Sequence, residues 1–178
     1  MVKAGELIGR SVVVREGGQQ AGKIKDVVID QSGRQVLGFV IHEGLLKSTK
    51  VASWAALQAI GPDSVVLNAS GSVVKAAQAP EIKGVLDKQL SIRGLRLQTT
   101  EGKELGKVED IHFDERTGAV EGYELSGGLF SDAFGGRAFL PTPLSIEMGR
   151  DVVFVGPEAE ATIRQSGGIK GAFKRGSD

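Results

Sequence analysis

The chain has 178 residues, of which 40% are hydrophobic and 25% charged, a globular composition that argues against disorder. It has no cysteine, which excludes disulfides, thiolate metal sites and thiol catalysis. Twenty-two Lys/Arg balance 22 Asp/Glu, so charge alone does not point to nucleic acid, and no apolar run approaches the roughly 18 residues of a membrane span.

Read in chain order, Ser11-Val12-Val13-Val14 is the first branched, strand-forming run, and Gly17-Gly18 turns it. From Gly22 to Ile41 follows a segment that returns without a gap as Gly106 to Leu125, 84 positions later. Six of its twenty positions are identical, where average residue usage predicts roughly one. Within it, positions 27 and 29 (111 and 113) are apolar with the period of a half-buried strand. Position 24/108 is apolar too but sits three residues before 27/111, which predicts a bulge near Lys25-Asp26 and Glu109-Asp110. Asp30 to Gly33 and Asp114 to Gly118 supply turn chemistry, and Phe39/Ile41 or Tyr123/Leu125 return to the core. The paired glycines 22/106 and 38/122 read as bulges or crowded strand crossings.

Beyond the hairpin, Ile60-Gly61-Pro62-Asp63-Ser64-Val65 matches Met148-Gly149-Arg150-Asp151-Val152-Val153, a turn followed by a strand in each half. The expected architecture is all-β: two tandem small barrels of about six short strands each, joined by a short linker from Ser70 to Pro80 that has room for one helical turn. The boundaries are drawn at 1–77 and 78–166, with a glycine-rich flexible tail at 167–178. Trp54 is expected to plug a barrel end. Residues 1–80 carry a charge of +3 and the remainder −3, which would favour head-to-tail pairing of the halves or of two copies. The start, Met1 to Glu6, has no apolar signal core, so a cytoplasmic location is expected.

The ordered motifs Gly18–Asp26, Asp30–Gly33, Val36–Phe39 and Ile60–Val65 resemble those of the PRC-barrel family. They recur as Gly102–Asp110, Asp114–Gly118, Val120–Tyr123 and Met148–Val152, so the resemblance covers nearly the whole chain as two copies. The family includes the cytoplasmic domain of the photosynthetic reaction-centre H subunit and the C-terminal domain of a ribosome-maturation factor. The resemblance implies a small barrel of about six strands per copy. It also implies a docking role in larger assemblies, with no shared catalytic residue.

Candidate contacts lie in the loop after each hairpin, where glycine followed by two large apolar residues recurs. Leu45, Leu46, Leu129, Phe130 and Phe134 are therefore the interface candidates, against the alternative that these side chains fold back over the barrel mouth. Asp110-x-His112-x-Asp114 places carboxylate and imidazole groups on one strand face about 7 Å apart, a donor set that would suit zinc or manganese. The first copy has Val28 where the second has His112, and Asp114 already serves its turn. A solvated polar face is the favoured reading, and no metal, cofactor or catalytic residue is assigned.

The expectation is a non-enzymatic protein-binding or adaptor module whose partner is another protein, with a homodimer as an alternative. Two rival readings stay open. One is an RNA- or ribosome-associated accessory factor using Arg10, Arg15, Lys23 and Lys25; the other is a metal-binding protein at Asp110/His112/Asp114.

Overall fold

The computed structural model of the chain describes residues 1–44, 48–130, 135 and 137–166, with the backbone alone at 129 and 164–166. The repeated segment forms the centre of each half. In the first half it is the hairpin β3 (Gln19–Ile29) and β4 (Val36–His42); in the second it is β10 (Glu104–Phe113) and β11 (Val120–Ser126). Val27 and Ile29 face inward with Phe39 and Ile41 because alternation along each strand sends every second side chain to the core. The register steps between Ile24 and Asp26, and again between Val108 and Asp110, where the repeat's broken periodicity predicts it. The aspartate after each bulge explains its own recurrence. Asp26 Oδ1 accepts the Val27 N–H at 2.9 Å, and Asp110 Oδ1 the Ile111 N–H at 2.8 Å, covering a donor that the slipped ladder frees.

Around these hairpins the first sheet adds β2 (Ser11–Val14), β5 (Lys50–Ser53), β6 (Leu57–Ile60), β7 (Ser64–Leu67) and β8 (Val73–Lys75). Its order is β6-β7-β2-β3-β4-β5-β8, with β2 and β7 parallel. The second sheet adds β9 (Arg96–Thr99), β12 (Arg137–Pro141), β13 (Ile146–Met148) and β14 (Val152–Val155) in the order β12-β11-β10-β9-β14-β13, with β9 and β14 parallel. Six strands correspond between the curled sheets, and the matched turns close alike: Gly61 N–H to Ser64 O at 2.9 Å, Gly149 N–H to Val152 O at 3.0 Å.

The seventh strand of each sheet departs from the expected linker and boundaries. The stretch 70–80 holds the expected helical turn, as a 3₁₀ turn at Ala76–Gln78, but is no loose connector: β8 pairs with β5 before it, and α2 (Pro80–Asp87) begins just after it. Pro80 at the helix start lacks only an N–H that the first turn would leave unbonded anyway. Ile82 and Val85 of α2 cover Val28, Val40 and Val51 on the outer face of the first sheet. At the other end, β1 (Val2–Lys3) crosses to the second sheet and pairs with β10, followed by α1 (Ala4–Leu7). A third helix, α3 (Glu158–Ser166), buries Ala159 and Ile163 in the main core.

That core runs without a break through both halves, from Val12, Ile24 and Leu67 to Leu97, Ile111 and Val153. The backbone joins them reciprocally: Val36 N–H donates to Gly118 O, and Val120 N–H to Arg34 O, each at 2.8 Å. A shift of 84 residues converts one bond into the other, and Gln35 bridges its own counterpart Ala119. This is the self-complementary contact of a two-fold dimer, built inside one chain. Trp54 belongs to this seam rather than plugging a barrel end. Its ring lies 6.0 Å from Phe39 and 5.8 Å, edge-on, from Phe113, and a Cβ on Gly118 would come within 2.8 Å of it.

Tyr123 is fully buried, and its hydroxyl donates to the Gly33 carbonyl across the seam; burial pushes its phenol well above the ordinary range. Tyr123→Phe leaves that carbonyl unpaired and is expected to cost about 1–2 kcal/mol, read as a lower urea midpoint at unchanged slope.

Candidate functional site

The outer faces of the two sheets differ where the repeats diverge most. Val28, Val40 and Val51 in the first sheet correspond to His112, Glu124 and Phe139 in the second, since Val40 pairs with Val51 as Glu124 pairs with Phe139. All three second-sheet residues are buried, and the His112 and Phe139 rings meet edge to face at 5.3 Å. The Glu124 carboxylate, 1% exposed, accepts from Lys3 Nζ at 2.9 Å, from His112 Nε2 at 3.2 Å, and from the Arg137 guanidinium. Burial pushes this carboxyl up, but the hydrogen bonds from Lys3, His112 and Arg137 and the Lys3 charge outweigh it and hold it below the ordinary glutamate range. Lys3 stands opposite His112 in the β1–β10 ladder. The cluster therefore fastens the N-terminal strand to the second barrel.

His112 thus works with Glu124 and not with the neighbours the sequence suggested. Asp110 is spent on the Ile111 and Gly5 N–H groups, and Asp114 on those of Arg116 and Thr117 at 2.6 and 3.1 Å. Those backbone donors hold the Asp114 carboxyl below its usual range. Among the described residues no three or more His, Asp or Glu side chains converge as metal ligands.

Of the five interface candidates, Phe130 is 3% exposed and packs into the core, which corrects its assignment to an open contact surface. It takes the alternative course, folding back over the barrel. Leu45, Leu46 and Phe134 lie outside the described residues, as does the side chain of Leu129. Of the basic residues, Arg10 is engaged with Gly61 O at 2.6 Å and Glu6 O at 3.1 Å, and Arg15 with Gln58 at 3.3 Å; Lys23 and Lys25 are exposed.

Two features escaped the sequence reading. Leu144, between β12 and β13, is 86% exposed, far more than any other large apolar residue described. Its backbone is pinned: Arg34 Nη2 donates to Pro143 O at 2.6 Å and Leu144 O at 2.7 Å, and Thr142 N–H to Glu121 O at 3.0 Å. The other is Asp26, half-buried in a cleft beside Arg93. Burial raises its carboxyl, and the Val27 N–H, Arg93 and Lys25 do not cancel the rise. A carboxyl raised by folding favours the fold below its unfolded pKa, and this contribution is lost as pH climbs through the folded value. Asp26→Asn is therefore expected to melt higher than wild type at pH 7, with the gap closing toward about pH 4 in a thermal series.

Comparison with known proteins agrees with the duplicated architecture. The model of the PRC-barrel domain matches residues 1–74 and again 90–161. No curated protein matches the chain.

Proposed function

The chain belongs to the PRC-barrel family as a tandem pair, and from that premise we propose that it is a non-enzymatic docking module for a protein partner. Domains of this family are generally small interaction modules. The observation that carries the reading is Leu144, an apolar side chain held out to solvent on a loop clamped from both repeats. An anchor whose backbone is already ordered loses little entropy when a partner covers it, which is the property of an interface centre. The post-hairpin loops, with Leu45, Leu46, Leu129 and Phe134, are assigned to the same role on sequence grounds. At its high exposure, Leu144→Asp should leave the melting temperature within about a degree or two. Cross-linking and affinity capture from native cells should recover a partner with the wild-type chain and lose it with Leu144→Asp. Equal recovery with both would remove Leu144 from the interface.

A further inference from the structure

Asp26 and Asp110 hold equivalent places at the two bulges, yet their surroundings differ. Asp110 Oδ1 accepts a second N–H, from Gly5 at 2.9 Å, with Arg93 Nε 3.8 Å away. Gly5 lies in α1 between buried Ala4 and Leu7. The matching stretch of the second repeat is Gln89–Ile92, in step through buried Leu7 and Ile92 and through the glycines that follow, Gly9 and Gly94. Both glycines donate to the strand ahead, Gly9 N–H to Ile24 O at 2.7 Å and Gly94 N–H to Val108 O at 2.8 Å. The N–H corresponding to that of Gly5 is then that of Leu90. It is used elsewhere: the chain arrives from α2, and Leu90 N–H donates to Val85 O at 3.3 Å. Asp26 keeps the Val27 N–H and, among the described residues, has no counterpart of the Gly5 donor.

What stands there instead is a cleft of about 190 Å³ whose walls include Asp26, Val28, Val85, Leu86, Leu90 and Arg93. Gln89, at its rim, has φ 54°, the only positive φ outside glycine among the described residues. Such a backbone is strained in any residue but glycine and marks a place worth a functional reading.

We propose that this cleft receives a short segment of a protein partner that presents a backbone N–H to Asp26 from a glycine with one apolar residue just before it and another two positions after it. The inference rests on the docking reading above and gives it a second contact point. Charge selects the occupant, since a half-buried carboxylate with an open acceptor calls for a donor. The occupied counterpart selects its shape, because a Cβ on Gly5 would fall 2.5 Å from Asp110 Oδ2. The volume equals that of about six waters at ~30 Å³ each, which suits one or two residues of an inserted segment.

The probe is the acetylated, amidated peptide Val-Lys-Ala-Gly-Glu-Leu, the sequence of residues 2–7, titrated into the full ¹⁵N-labelled chain. Amide shifts are expected at 26–29 and 85–93, half-saturating at about 1 mM, an affinity of roughly 4 kcal/mol. A valine in place of the peptide's glycine should weaken binding about tenfold or more. Asp26→Asn keeps the Val27 bond through its carbonyl oxygen and turns an NH₂ donor toward the cleft, so it should abolish the shifts in a protein that still folds. Overturning results are no shifts at several times about 1 mM peptide, shifts indifferent to Asp26→Asn, or shifts centred on Asp110, which would mean displacement of α1. If the peptide fails while Leu144→Asp still abolishes partner capture, the cleft assignment falls and the docking reading stands.

Discussion

Trp54→Ala is expected to lower the stability of both barrels together, by about 3 kcal/mol. The indole carries the contact between Phe39 of the first hairpin and Phe113 of the second, and Gly118 approaches it so closely that no larger residue would fit there. Removing it opens a cavity that neither sheet can close, because the reciprocal bonds of residues 34–36 and 118–120 fix the distance between the hairpins. The edge-to-face ring pair adds a further fraction of a kcal/mol. Since one apolar core spans both halves, unfolding of the variant followed by far-UV circular dichroism should remain a single transition at a lower urea midpoint. Two separate transitions, with the second barrel unaffected, would show that the halves are merely tethered.

What could be read from the chain follows from where the information resides. The hairpins, the bulges after Ile24 and Val108 and the 61–64 and 149–152 turns are local, and each leaves a mark in periodicity or turn chemistry. The repeat then doubled every such mark. The reciprocal bonds of the seam left none, because they join backbone groups such as the Val36 N–H and the Gly118 carbonyl, which any sequence carries. Helix α2 was hidden by its brevity and by Gly84 within it; its apolar Ile82 and Val85 matter only against the three valines they cover. Glu124 was hidden differently. In a strand it reads as a solvent-facing residue, and its burial is made tolerable by Lys3, from the far end of the chain, together with His112 and Arg137. The legible signal was the repeat itself: valines 28 and 40 become His112 and Glu124 on one face, two apolar-to-polar changes in register. The departure of His112 from the copied pattern pointed to the right neighbourhood, while its sequence neighbours Asp110 and Asp114 pointed to the wrong partners.

The second large effect lies at that cluster. Glu124→Val restores the residue of the first repeat and should nonetheless cost about 3 kcal/mol, because it strips the acceptor from buried His112 and the compensating charge from partly buried Lys3. His112→Val made together with it removes the remaining buried polar partner, and Lys3 can carry its ammonium to water on its own stem. The double variant should therefore recover a substantial part of the loss, as replacing both members of a buried pair costs less than orphaning one. The pH dependence has a defined sign. Glu124 is held below its ordinary range in the fold, so its contribution is complete above the unfolded value of about 4.3 and is lost as pH falls through the folded one. The penalty of Glu124→Val should be largest near neutrality and shrink in strong acid, where wild type has lost the same charge. A penalty that stays flat across that range would mean that the carboxylate supplies packing rather than charge, and β1 would have to be held to β10 by its ladder alone.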